Sequence, residues 1–141
     1  MGTLGDILSS NDPLGSLRIQ AGSIFLGPME GVDHMKFYII AGVSGNKICA
    51  CSVVINSHIN QFIIKRPKLL DLQVEILKDN YEFLDHNSYV NCANPIVGTS
   101  NIFNRADFIF KDVLNDDDLT IIVGLIKKSG MLTQEQIEMF F

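Results

Sequence analysis

The chain has 141 residues and a mass of 15.7 kDa, which suits one domain around one core and leaves no room for two independent ones. Hydrophobic residues make up 47% of it and charged residues 19%, so it has the apolar surface to fold and is excluded from the disordered class. A formal net charge of -5 excludes a surface that is basic all over, and leaves room only for a local basic patch.

Residues 1–22 mix Gly2, Gly5, Gly15, Pro13 and Ser9-Ser10 with scattered leucines. This is a lead-in segment, expected to carry little function and to dock, if at all, through Leu4, Ile7 and Leu8. It lacks the basic and apolar regions of a secretory leader, and no run in the chain approaches the about 18 to 20 apolar residues of a membrane span. Ser23 to Leu26 reads as a short strand, stopped by Gly27-Pro28 and followed by a polar loop through Gly31, Asp33 and His34. Phe37 to Val43 is an apolar run ending at Ser44-Gly45-Asn46, a hairpin signal, and Lys47 to Asn56 supplies the β-branched partner strand. Cys49 and Cys51 fall on one face of that strand, where such neighbours rarely bridge, and Cys92 leaves the count odd. With no Cys/His metal spacing, the three cysteines read as reduced thiols in an intracellular, cytoplasmic protein that holds no metal.

Ser57 to Asp71 is a long connection in which His58, Asn60, Gln61, Lys65, Arg66, Pro67 and Lys68 surround Phe62-Ile63-Ile64, the kind of loop that binds. Leu72 to Leu77 alternates as a half-buried strand does. A further strand, Ser88 to Cys92, follows a turn at Asp85-His86-Asn87. Pro95, Gly98 and Thr99-Ser100-Asn101 are expected to break the pattern before a last strand at Ala106 to Lys111. Asn115 followed by Asp116-Asp117-Asp118 predicts a helix start, with Lys127-Lys128 and Gly130 closing it. Thr133 and Gln136 form a capping box for a final helix carrying Ile137, Met139, Phe140 and Phe141. That apolar end either completes the core or offers a patch to a partner. Short strands followed by helices describe an α+β domain over residues 1–141: a small, strongly bent β-barrel at 23–111 and two C-terminal helices within 115–141.

Lys36-Phe37-Tyr38-Ile39-Ile40, then Ser52-Val53-Val54-Ile55-Asn56-Ser57, then Tyr81-Glu82-Phe83-Leu84-Asp85-His86-Asn87-Ser88-Tyr89-Val90 resemble, in order and spacing, the small barrel proteins related to the PemK/MazF toxins of toxin-antitoxin systems. The likeness covers about residues 22–95. It implies an SH3-like barrel in a bacterial toxin-antitoxin or phage-defence system, acting as an endoribonuclease on single-stranded RNA without a metal or cofactor, with an antitoxin or other partner protein and a homodimer as its associations. The family uses an Arg near its second strand and a Thr or Ser after its third. Here Lys36 stands at the first place and Ser57 at the second. Lysine holds phosphate as a point charge and lacks the planar fork of arginine. The Arg-Pro opening of the group is also missing.

Such cleavage needs a base for the ribose 2′-OH and a cation or acid near the phosphate. His58 beside Ser57 is a candidate general base or acid, and His34 stands before Lys36, so His34, Lys36, Ser57 and His58 form the candidate catalytic set. A loop histidine is more often only solvated or capping. Asp85-His86-Asn87-Ser88 reads either as an acid/base pair or, preferably, as a tight turn. Lys65, Arg66 and Lys68 with Phe62 and Tyr81 form either a phosphate and stacking groove for RNA or a solvated basic loop. Phosphate-binding glycine loops, zinc spacings and nucleophile elbows are missing from the sequence. The reading from a different class is a non-catalytic interaction module that docks a partner protein through its edge strands or C-terminal helix.

Overall fold

The computed structural model describes residues 18–141, so the expected docking of Leu4, Ile7 and Leu8 lies outside the described residues. Strands β1 (Ser23–Gly27), β2 (Lys36–Val43) and β3 (Cys49–Asn56) are followed by one-turn helices α1 (Gln61–Ile64) and α2 (Pro67–Leu70). Then come β4 (Gln73–Ile76), β5 (Ser88–Thr99), β6 (Ile109–Val113), α3 (Asp116–Lys128) and α4 (Gln134–Phe140), with short 3-10 turns at Lys78–Asn80 and Ser100–Asn104. The strands form one antiparallel sheet in the order β4-β5-β3-β2-β1-β6. The fold is therefore α+β, a six-stranded antiparallel sheet with two C-terminal helices. Among the described residues no ladder joins β4 to β6, so these strands are the edges of the sheet.

The β2–β3 hairpin turns where Ser44-Gly45-Asn46 places it. Asn46 Oδ1 accepts from Ser44 Oγ at 2.6 Å and from the Ile48 amide at 3.1 Å, while Ser44 Oγ accepts from the Cys49 amide at 3.1 Å. Lys47 takes a left-handed φ of 62° to complete the reversal and so belongs to the turn, not to the strand.

Long apolar runs in β2 and β3 follow from burial on both faces of the sheet. Ile24, Ile39, Ala41, Cys51, Val53 and Ile55 point to one side, where Ile122 and Ile126 of α3 and Phe140 of α4 cover them. Phe25, Tyr38, Ile40 and Val54 point to the other, beneath Phe103 and Phe108 from the segment between β5 and β6. An antiparallel sheet open to solvent on one face would have shown strict alternation.

The expected break at Pro95 and Gly98 does not occur, because β5 runs on to Thr99. In its first half Tyr89 to Asn91 are paired on both sides, with β4 and β3. The second half, Ile96 to Thr99, pairs with β3 alone and is set off by a register shift. A proline is tolerated where one side of the strand has no ladder to feed.

Both helix starts are built as their sequences demand. Asn115 Oδ1 accepts from the Asp118 amide at 2.8 Å; Thr133 Oγ1 accepts from the Gln136 amide at 3.1 Å, and Gln136 Oε1 accepts from the Thr133 amide at 3.0 Å. The Asp116-Asp117-Asp118 run sits in the first turn of α3 and Lys127-Lys128 in its last, each at the favourable end of the helix dipole. Phe140 is buried, so part of the apolar C-terminal end completes the core, while Met139 stays exposed.

Gly42 lets α4 lie directly on β2: a Cβ there would sit 2.6 Å from the Phe140 carbonyl oxygen and 2.8 Å from the Phe141 ring. Gly42→Ala therefore forces backbone apart and is expected to lose about 1–3 kcal/mol of unfolding free energy. Urea titration measures this, and a variant as stable as the parent would show that α4 can lift from the sheet at little cost.

Candidate functional site

At one end of the sheet, where β3 leaves and β5 enters, Phe37, Ile55, Asn56, Ser57, Phe83, Leu84, Asp85, His86 and Ser88 line a cleft of about 130 Å³. The register explains the meeting. Phe37 pairs with Ile55 on the neighbouring strand, and Asn56 pairs with Tyr89 on the other side. The turn before β5 is thereby carried next to the end of β3. Phe37 and Phe83 pack at 4.9 Å between ring centroids and give the cleft an aromatic wall.

Lys36, the first residue of β2, donates from Nζ to Asn56 Oδ1 at 2.7 Å. Burial lowers the pKa of this ammonium below the usual lysine value, because desolvation disfavours the charged form. Asn56 is neutral, and among the described residues Lys36 makes no ion pair. A half-buried cation whose bonded partner carries no charge is well placed to receive an anionic group. Ser57 stands one residue beyond Asn56, its Oγ 3.1 Å from His58 Nδ1. Lys36, Asn56, Ser57 and His58 are thus linked through adjacent residues and hydrogen bonds, with Lys36 and His58 outside the cleft lining itself.

His34 lies on the exposed loop before β2, outside the cleft lining, with Nδ1 3.1 Å from Asp33 Oδ1. This contact is the main reason the Asp33 carboxyl is held below its ordinary pKa. His34 is two residues from Lys36, yet its hydrogen-bond partner is its own neighbour Asp33.

The basic connection carries structure that its sequence reading lacked, since α1 and α2 occupy it. Asn60 caps α1, its Oδ1 accepting from the Ile63 amide at 2.9 Å, and Pro67 opens α2. The Arg66 guanidinium lies 3.5 Å from the centroid of the exposed Phe62 ring and donates to the Phe62 carbonyl at 2.8 Å. Lys65, Arg66, Pro67, Lys68 and Leu69 line a shallow hollow beside it. Phe62 with the three cations is therefore a surface feature, a flat ring carrying a flat cation.

Tyr81 does not belong with them. It is 4% exposed, packs against Phe83 at 5.8 Å, donates from its hydroxyl to Asp118 Oδ2 at 2.6 Å and accepts from the Asn115 amide at 3.1 Å. The expected stacking role is corrected by this burial: the ring offers no free face to a base, and the hydroxyl ties the start of α3 to the connection between β4 and β5. Desolvation first, and the Asp118 bond second, push the phenol pKa far up. Tyr81→Phe is expected to cost about 1–2 kcal/mol, through loss of a bond to a carboxylate. It should leave RNA affinity unchanged. Chemical denaturation and a binding titration on the same variant check both halves.

His86 is the cleft residue that sequence reasoning passed over in favour of a turn. The turn is present: Asn87 Oδ1 accepts from the Lys78 amide at 2.9 Å and Ser88 Oγ donates to the His86 carbonyl at 3.1 Å. That turn also brings His86 into the cleft lining together with Ser57. The available signal was the second reading of the Asp-His-Asn-Ser string as acid/base chemistry.

Among the described residues no three His, Cys, Asp or Glu side chains gather as metal ligands would, and no helix is long and apolar enough to cross a membrane. Cys51 and Cys92 are buried and Cys49 half-buried, all as free thiols. No protein-family model matches the chain, and no curated protein matches it.

Proposed function

We propose that this protein is a PemK/MazF-like barrel protein of a toxin-antitoxin or phage-defence type system that cuts single-stranded RNA without a metal, with Lys36, Asn56 and Ser57, where β2 begins and β3 ends, as its centre. The observation that carries the reading is the half-buried Lys36 ammonium, whose one hydrogen-bond partner among the described residues is the neutral Asn56, the residue that precedes Ser57 and His58. A phosphodiester presents the anion this cation lacks. In this reading register shifts at Ile24/Phe25, Ile40/Gly42 and Ser52/Val54 bend the sheet strongly toward an SH3-like barrel, as bulges do.

The reaction is a transesterification. The ribose 2′-oxygen loses its proton to a base and bonds to phosphorus, the P–O5′ bond breaks, and O5′ takes a proton from an acid. The products are a 2′,3′-cyclic phosphate and a 5′-hydroxyl. Lys36 holds the phosphate, Ser57 orients it, and His58 supplies a proton. The Phe62/Arg66 pair with Lys65 and Lys68 tracks the strand away from the cleft, by stacking and charge. A cytoplasmic setting, an antitoxin as partner and a homodimer belong to the same reading.

The test is incubation with a long mixed-sequence single-stranded RNA in EDTA, followed by mapping of the ends. Discrete cuts ending in cyclic phosphate support it; intact RNA overturns it. A second reading, an accessory module docking a partner protein, has its own observation in β6, an edge strand that exposes Ile109 and Val113 to 50% and 46%. Intact RNA together with a monomer in sedimentation would favour that alternative.

A further inference from the structure

We infer that His86 is a catalytic residue of this cleft, the base that takes the proton from the ribose 2′-OH, with His58, hydrogen-bonded to the cleft residue Ser57, as the acid. The inference rests on the ribonuclease reading and adds a residue to it. Metal-free transesterification moves two protons, and one histidine cannot be base to the attacking oxygen and acid to the leaving one in a single step. Ser57 and His86 share the cleft lining, and His58 lies against Ser57.

The hydrogen bonds around His86 select its tautomer. Nδ1 is 2.9 Å from the Asn87 carbonyl oxygen, and a carbonyl only accepts, so Nδ1 carries the proton. Ser88 Oγ, 3.4 Å from the same nitrogen, has spent its own proton on the His86 carbonyl, so it too faces Nδ1 as an acceptor. The neutral ring therefore keeps its lone pair on Nε2, which has no hydrogen-bond partner among the described residues. An acceptor held against one ring nitrogen is how an imidazole is kept as a base through the other. The turn is itself rigidly placed, since Asn87 is tied to the Lys78 amide and Ser88 is buried.

In the step, the 2′-OH proton passes to His86 Nε2 as the O2′–P bond forms; the P–O5′ bond breaks and O5′ receives the proton of a protonated His58. The two imidazoles return to their starting states by exchange with water. The other titratable groups at this end are Asp85 on the same turn, Lys78 whose amide holds Asn87, and Lys36 through Asn56.

The experiment compares the whole protein with His86→Gln and His86→Asn on the mixed-sequence RNA, and measures binding of an all-2′-O-methyl RNA, which has no hydroxyl to deprotonate. Both variants are expected to lose about 100-fold or more in cleavage rate and to bind the methylated RNA as the parent does. A long-range proton–nitrogen spectrum of the parent's imidazoles is expected to show His86 as the Nδ1–H tautomer, a readout that needs no variant. A parent that cuts beside variants that cut within threefold of it, or a His86 found as the Nε2–H tautomer, overturns the role of His86 alone. A parent that leaves RNA intact overturns the ribonuclease reading and this inference with it.

Discussion

Lys36→Ala is expected to reduce RNA cleavage by about 100- to 1,000-fold, the loss typical when one preorganised group facing developing phosphate charge is removed. The fold should survive. Only Asn56 loses a partner, and Asn56 is partly solvated and can turn to water. Taking a desolvated charge out of the sheet end also removes an unfavourable burial. Lys36→Arg separates charge from geometry: it keeps the cation and adds the bidentate fork, so it should retain cleavage if the residue acts on phosphate. The pH dependence has a definite sign. Burial lowers the Lys36 pKa, and the charged form is the one that holds phosphate, so affinity for an uncleavable 2′-O-methyl RNA should fall on the alkaline side earlier than an ordinary surface lysine would allow. Lys36→Arg should abolish that fall. Full cleavage by Lys36→Ala, with circular dichroism showing an intact fold, would remove Lys36 from the site.

The second large effect concerns stability in alkali. Burial pushes the Cys51 thiol from 9.0 up to about 11, and burial together with the neighbouring Cys51 pushes Cys92 up to about 12. In both, the folded protein favours the neutral thiol more than the unfolded chain does. Their contribution is therefore complete below pH 9 and is lost as pH rises through the folded values. At pH 11 each thiol should have withdrawn about 2–3 kcal/mol, at about 1.4 kcal/mol for each pH unit above the unfolded value up to the folded one. Tyr81, raised in the same direction, adds to the fall. Denaturant unfolding at pH 7, 9 and 11 reads the slope, and the Cys51→Ala/Cys92→Ala protein should flatten it to the part that Tyr81 supplies. A double variant with an unchanged slope would show that these thiols do not govern the alkaline limit.

Local chemistry was the legible part of this sequence. Ser44-Gly45-Asn46, Asn115 and Thr133 each act within a few residues, and each makes the hydrogen bonds its type and position call for. What depended on distant neighbours was hidden. Pro95 and Gly98 look like breakers until β5 is known to have a partner on one side only at that point. Tyr81 looks like a stacking platform until Asn115 and Asp118, more than thirty residues away, are seen to claim its hydroxyl. The short helices α1 and α2 have too few residues to show a period. At the site, Ser57 and His58 were adjacent in sequence and could be grouped, whereas Asn56 joins them only through its cross-strand bond to Lys36. His86 could not, because the turn chemistry that fully explains Asp85-His86-Asn87-Ser88 says nothing about what the turn stands against.

The order of the strands also has a kinetic meaning. The β2–β3 hairpin pairs Val43 with Ala50, a closure of a few residues, whereas β1 finds β6 only by pairing Ser23 with Val113, some ninety residues downstream. Loop-closure entropy makes that last contact costlier by about 2 kcal/mol before any side chain is buried. The hairpin is therefore the natural nucleus and β6 a late arrival. Until it docks, β1 stands as an open edge with its backbone groups unpaired, so the folding intermediate most exposed to strand addition from another chain is the one that still lacks Ile109 to Val113.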